Sequence, residues 1–192
     1  MREEYKVKGR KILNPLISLV IRLGISANLL TLASLPFSFL AGYFFWQGLR
    51  YWGGLFLILV ALADTIDGEV ARRTNQISKY GAFLDSVVDR ISEAFIYLGF
   101  FLYYLDHSEK KWILILVFTS LIASLLVSYI RARAEGIGKD CKIGFMERPV
   151  RMIALLIGVF VLGYKFLPIS FAIIFMGSLF TIMQRILYVL KR

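Results

Sequence analysis

The stretch Asp64-Thr65-Ile66-Asp67-Gly68-Glu69-Val70-Ala71-Arg72, followed after a gap of eight residues by Gly81-Ala82-Phe83-Leu84-Asp85-Ser86-Val87-Val88-Asp89, decides how this chain is read. Its carboxylates border long apolar runs: Trp52 to Ala63 leads into Asp64, and Ala94 to Leu105 follows Asp89. An acidic side chain inside a transmembrane helix costs about 2.5–3.5 kcal/mol on insertion scales. A group of them therefore implies something positive that neutralises it. Asp64 and Asp67 are three apart and Asp85 and Asp89 four apart, so each pair shares one helical face. The first face runs on through Gly68, Ala71 and Arg72, and the second carries Ser78 and Gly81. The short link between the two helices predicts antiparallel neighbours with all four carboxylates at similar depth. Hard oxygen ligands of this kind suit Mg²⁺, Mn²⁺ or Ca²⁺. With no Cys or His nearby, zinc is not the expected metal.

Working outward, further apolar runs cover Leu29 to Trp46, Trp112 to Val127, Met152 to Tyr164 and Ile169 to Ile182. The chain is 58% hydrophobic, against the 45–50% usual for a soluble domain. Runs of this length suit helices crossing a hydrocarbon core, and they lack the alternation of a closed barrel. The expected fold is all-α and polytopic, with spans at about 28–48, 51–75, 79–105, 110–135, 148–166 and 168–190 forming a six-helix bundle over 28–192. Ahead of it, within residues 1–27, Lys8, Lys11 and Arg22 are interleaved with Ile12, Leu13, Leu16, Ile17 and Val20. That pattern predicts an amphipathic helix on the membrane surface, bent or restarted at Pro15. Residues 1–192 read as a single membrane domain, and no cleavable leader is expected.

The net charge of +10 is distributed unevenly. Arg2, Lys6, Lys8, Arg10, Lys11 and Arg22 precede the first span. Arg72, Arg73 and Lys79 join spans two and three, Arg131 to Arg151 joins four and five, and Arg185, Lys191 and Arg192 end the chain. Arg50, Lys110, Lys111 and Lys165 fall on the other side. The asymmetry puts both termini and the acidic cluster on the cytoplasmic side of the cell membrane. Because the basic residues sit at helix ends rather than in one stripe, nucleic acid is not an expected partner. Cys141 is the single cysteine, so no internal disulfide forms.

Gly68 carries no side chain in a helix where glycine costs about 1 kcal/mol. With Ala71 it leaves a groove beside the acidic cluster, and Arg72 is placed to reach a phosphate or base. Arg131 and Arg133 end the fourth span and Arg148 and Arg151 open the fifth, more positive charge than anchoring needs. A phosphorylated ligand would explain it. Intramembrane carboxylates also occur in ion-coupled transporters, but these aspartates lie toward one face.

The arrangement Asp64-x-x-Asp67-Gly68-x-x-Ala71-Arg72, then Gly81-x-x-x-Asp85-x-x-x-Asp89, resembles the signature of the CDP-alcohol phosphotransferases, with every position filled. The resemblance extends along the whole chain. It implies a homodimeric membrane enzyme of phospholipid biosynthesis that transfers a phosphatidyl-type group from a CDP-linked lipid, such as CDP-diacylglycerol, to an alcohol, releasing CMP. It implies that Asp64, Asp67, Asp85 and Asp89 hold two divalent ions, Mg²⁺ with Mn²⁺ as the alternative, and that Asp89 is also the catalytic base. Gly68, Ala71, Arg72, Ser78 and Gly81 match the CDP-lipid site. Asn28-x-x-Thr31 resembles a further nucleotide-contacting element, although Ala27 stands where members commonly have proline. The arginine stretches resemble the branch of phosphatidylinositol phosphate synthases and their archaeal ether-lipid counterparts. Arg131, Arg133, Arg148, Arg151 and Arg185 would then form the acceptor-phosphate pocket, with inositol 1-phosphate the expected acceptor and glycerol 3-phosphate or serine the alternatives.

Overall fold

The computed structural model describes residues 13–191, and these form helices joined by short loops. The chain runs through α1 (Leu13–Arg22), α2 (Ala27–Trp46), α3 (Arg50–Arg73), α4 (Lys79–His107), α5 (Lys111–Gly136), α6 (Arg148–Ile157) with a π-helical turn over Gly158–Leu162, and α7 (Gly163–Leu190). The basic residues expected ahead of α1, from Arg2 to Lys11, lie outside the described residues. In α1, Ile17 and Val20 pack with Ala27 of α2 and with Ile66 and Val70 of α3. Pro15 lies within α1.

Helix starts follow local capping chemistry. The Ser26 hydroxyl accepts from the Leu29 N–H at the head of α2, and Ser78 accepts from the Gly81 N–H, 3.0 Å, at the head of α4. Helix α2 packs along both α3 and α4, whereas α3 and α4 scarcely touch each other. The two acidic helices, expected to be direct neighbours, instead have α2 wedged against both. The wedge is tight further along α2: a Cβ on Gly42 would strike the Phe95 carbonyl, and one on Gly99 would strike the Gly42 backbone. From one turn before Asp64 onward, Phe45, Leu57, Val60, Phe100, Leu155, Val159 and Phe171 make an apolar core, with the Phe45 and Phe100 rings stacked at 4.1 Å.

The boundary of the last two helices differs from the sequence expectation. The break was expected between residues 166 and 168. It falls instead at Gly163, whose φ of 66° lies in the left-handed region that glycine occupies without steric cost. The chain folds back there: Gly158 lies against Leu167 and Ser170, and the Met146 N–H donates to Thr181 Oγ1. Pro168 stays inside α7, leaving the carbonyl four residues earlier without its helical donor. That carbonyl, on Tyr164, accepts from the Tyr104 hydroxyl at 2.6 Å.

Among the described residues, α2, α5 and the stretch Arg148–Leu190 are long and apolar enough to cross a membrane. Helices α3 and α4 have the length, at 24 and 29 residues, but carry the charged cluster. Large apolar side chains are exposed along the helices, among them Phe39, Leu98, Phe118, Leu126, Ile173 and Phe180. Such a surface is compatible with a lipid environment.

Replacing Gly99 with Val forces α2 and α4 apart. Overpacking of this kind typically costs about 1–3 kcal/mol. Gly99→Val is expected to lower the thermal midpoint of the detergent-purified protein, read by intrinsic fluorescence. Gly136→Ala, where a Cβ would meet nothing within 4 Å, is expected to leave it unchanged.

Candidate active site

Because α2 holds α3 and α4 apart, the acidic faces of the two helices look at each other across a gap. Carboxylate oxygens of Asp64, Asp85 and Asp89 all lie within 4.8 Å of one another. Asp67 is set to one side of this group. It is buried, and its Oδ2 accepts from the Thr31 hydroxyl at 2.6 Å. Like charges this close repel strongly in a partly buried site, and Arg148 answers them. Its Nη1 lies 2.7 Å from Asp64 Oδ1 and 2.7 Å from Asp89 Oδ1. Three convergent carboxylates form a hard-oxygen donor set of the kind that holds Mg²⁺ or Mn²⁺, so the residues fit a divalent cation.

On one side of the cluster is a cavity of about 250 Å³ lined by Asn28, Thr31, Asp67, Gly68, Ala71, Arg72, Ser78, Gly81 and Asp85, among others. Every residue expected from the sequence to contact the CDP-lipid therefore lines one space. The first turns of α2 and α4 both open into it, and helix N-termini favour anions. Gly81 matters sterically: a Cβ there would press on Ser78 Oγ at 3.1 Å and Asn28 Oδ1 at 3.2 Å. Its absence lets two polar side chains converge. At Gly68 a Cβ would find only the Arg72 guanidinium, 3.5 Å away, and otherwise open cavity. Arg72 is oriented by Glu69, whose Oε2 accepts from Arg72 Nη2 at 2.7 Å and from Nε at 3.1 Å.

On the other side is a second cavity of about 390 Å³, which shares Asp85 with the first and also contains Asp89. Arg131, Arg148, Arg151 and Arg185 line it, together with Arg90, whose Nη1 donates to the Ser86 carbonyl; Arg133 does not. Two residues beyond Arg131, Arg133 is turned roughly 200° around α5 and is exposed on another face. The arginines that do line the cavity differ in how they are held. Arg131 pairs with Glu135, one turn on, at 3.0 Å. Arg151 and Arg185 are each only 1% exposed. Arg185 Nε donates to the Ile143 carbonyl at 2.9 Å, and its Nη1 donates to the Val127 carbonyl.

Glu93 was not singled out from the sequence. It accepts from Arg151 Nε at 2.9 Å and from Nη2 at 3.0 Å, a buried fork that also lines the second cavity. Arg151 Nη1 reaches the Met146 carbonyl, 3.0 Å away, tying the loop before α6 to α4. The signal was present: Glu93 follows Asp89 by one turn and extends the Asp85–Asp89 stripe into an otherwise apolar helix.

The cleft is thus divided, a polar cavity on one side and an arginine-lined one on the other, with convergent carboxylates between. The chain belongs to the CDP-alcohol phosphatidyltransferase family, whose model matches residues 24–184. It is 32% identical to the phosphatidylinositol phosphate synthase of Streptomyces avermitilis, over 93% of this chain and 78% of that one. It is likewise 32% identical to the archaetidylinositol phosphate synthase of Methanothermobacter thermautotrophicus, over 100% of this chain and 95% of that one. The crystal structure of Mycobacterium tuberculosis phosphatidylinositol phosphate synthase with CDP-DAG bound matches with a TM-score of 0.84 at 27% identity, covering 94% of each chain. A structure of that synthase in complex with manganese and citrate also gives 0.84 at 27% identity, covering 92% of this chain and 88% of that one.

The Glu93–Arg151 fork is a buried ion pair, and removing one partner of such a pair typically costs about 3–5 kcal/mol because the other charge is stranded. Glu93→Ala is expected to unfold at markedly lower temperature than the parent protein. The paired change Glu93→Leu with Arg151→Met is expected to recover most of the loss, as thermal unfolding in detergent will show.

Proposed function

We propose that this enzyme transfers the phosphatidyl or archaetidyl group of a CDP-linked lipid to the hydroxyl of a phosphorylated polyol, inositol 1-phosphate before others, and releases CMP. The observation that carries the reading is the meeting of the two cavities at Asp85, one lined by every expected CDP-contacting residue and the other by Arg131, Arg148, Arg151 and Arg185. Donor and acceptor can occupy the cleft together, so direct transfer without a covalent enzyme intermediate follows.

In this reading the cytidine diphosphate lies in the first cavity. Asn28 and Ser78 offer polar contacts, Gly68 and Ala71 leave room for the flat base, and Arg72 meets a phosphate. The arginines of the second cavity orient the acceptor's phosphate, placing its hydroxyl beside Asp89. Asp89 takes the hydroxyl proton as the oxygen attacks the phosphorus bonded to the lipid. The bond from that phosphorus to the CMP oxygen breaks, and CMP leaves with the electron pair. Asp64, Asp67, Asp85 and Asp89 are the residues that would hold divalent cations, Mg²⁺ first and Mn²⁺ as the alternative. When bound, such ions supply charge neutralisation for the pyrophosphate and the leaving group. The Thr31 hydroxyl fixes the Asp67 carboxylate toward the nucleotide cavity.

The membrane arrangement belongs to the same proposal. Helices α2 to α5, the Arg148–Leu162 arm and α7 are six spans, with α1 at the surface, both termini and the cleft on the cytoplasmic side, and a homodimer as the assembly. The basic residues around the cleft and the exposed apolar flanks support it.

The test is CMP release by purified protein supplied with CDP-diacylglycerol or its archaeal ether analogue, Mg²⁺ and a panel of acceptors. Inositol 1-phosphate is expected to react fastest, with glycerol 3-phosphate slower and with inositol and serine near background. Equal rates with free inositol would contradict the phosphate-recognition role of the second cavity. Asp89→Asn is expected to reduce turnover by at least 10²-fold while leaving CDP-lipid binding measurable; near-parental turnover would remove Asp89 as the base.

A further inference from the structure

Arg148 stands apart from the other arginines of the second cavity. Arg151 is locked into a bidentate fork with Glu93, and Arg185 donates to two backbone carbonyls. Arg148 instead places one nitrogen between two carboxylates of the acidic cluster, 2.7 Å from each. Its side chain is 13% exposed, and its Nε is buried with no hydrogen-bond partner among the described residues. A guanidinium usually satisfies its inner nitrogen when it settles in a permanent buried pair. Here one guanidinium faces two carboxylates while its own Nε goes without a partner among the described residues.

The backbone beneath it is fixed. Arg148 is the first residue of α6 and Pro149 follows it, so the start of the helix is set by the proline ring. Any change of place therefore falls to the long side chain. A divalent cation drawn to the Asp64–Asp85–Asp89 oxygens competes with Nη1 for the same lone pairs and repels the guanidinium. The space open to the displaced side chain is the second cavity, which Arg148 already lines and where Arg131 and Arg185 supply further positive charge.

We infer that Arg148 is a displaceable counter-cation: it pairs with Asp64 and Asp89 before a divalent ion binds, and the ion's entry releases it into the second cavity to complete the site for the acceptor's phosphate. This rests on the metal-dependent reading above and goes further, because it makes the two sites thermodynamically linked. An ion that frees Arg148 strengthens phosphate binding, and by reciprocity a phosphate that captures Arg148 strengthens ion binding by the same factor. The same exchange spares the aspartates from facing one another without a counter-charge.

The experiment measures Mn²⁺ affinity directly, by the electron paramagnetic resonance signal of free Mn²⁺, in detergent-purified protein without CDP-lipid. The parent protein and Arg148→Gln are titrated alone, with inositol 1-phosphate and with unphosphorylated inositol, each corrected for Mn²⁺ bound by the additive in buffer. Arg148→Gln is expected to bind Mn²⁺ about tenfold more tightly than the parent. Inositol 1-phosphate is expected to tighten Mn²⁺ binding in the parent by roughly fivefold, inositol to do nothing, and Arg148→Gln to have lost the phosphate effect. Equal Mn²⁺ affinities in the two proteins, or a phosphate effect that survives in Arg148→Gln, would overturn the inference and leave the metal reading intact. If the variant does not fold, the parent alone decides: no phosphate effect on its Mn²⁺ affinity overturns the linkage. Failure of the parent to bind Mn²⁺ at all would remove both the inference and the metal-dependent reading beneath it.

Discussion

Three carboxylates within 4.8 Å of one another are the constraint around which the rest of this molecule is arranged. At an effective dielectric constant of 20, two charges 4 Å apart interact with about 4 kcal/mol. Such a cluster is tolerable only if the scaffold cannot relax and a counter-charge is at hand. The scaffold is supplied by α2, which packs along α3 and α4 and leaves those two helices facing each other across a gap. The glycine contact between α2 and α4, at Gly42 and Gly99, sets how closely they approach. The counter-charge comes from Arg148.

Rigidity and reactivity are separated along the helices. The apolar core around Phe45, Phe100 and Phe171 fills the end away from the aspartates. There Tyr164 donates to the Phe45 carbonyl and receives Tyr104 on its own carbonyl, so α2, α4 and α7 are joined by side-chain bonds to the backbone. At the acidic end the packing opens and polar groups take over. The segment between α5 and α6 becomes a cavity wall because it is pinned from several sides. Arg185 holds the Ile143 carbonyl, Arg151 holds the Met146 carbonyl, and Thr181 accepts the Met146 N–H. Two buried arginines thus shape the second cavity as much as they charge it.

Much of the site was legible from spacing alone. Offsets of three and four residues place Asp64 with Asp67 and Asp85 with Asp89 on common faces, and the same helical geometry carries Gly68, Ala71 and Arg72 into one cavity. What the spacing could not convey was the third helix. With α2 between them, α3 and α4 bring Asp64, Asp85 and Asp89 together while Asp67 is drawn to Thr31. The arginines were predicted as a group by charge density, and charge density does not record direction. Arg133 points away from Arg131 because they are two residues apart on one helix. The spans were divided near residue 167, but the chain turns at Gly163, while Pro168 stays inside α7 with the Tyr104 hydroxyl donating to the Tyr164 carbonyl that the proline leaves without a helical donor. The second of these depends on a tertiary partner that no local pattern contains.

The central claim is that Asp64, Asp85 and Asp89 gather around a divalent cation between a nucleotide cavity and an acceptor cavity. Anomalous diffraction from crystals soaked in Mn²⁺ tests it most directly. The account predicts a manganese peak coordinated by oxygens of Asp64, Asp85 and Asp89, with the Arg148 guanidinium withdrawn from Asp64 and Asp89. A peak coordinated elsewhere in the chain, with Arg148 still bridging those two carboxylates, would contradict it.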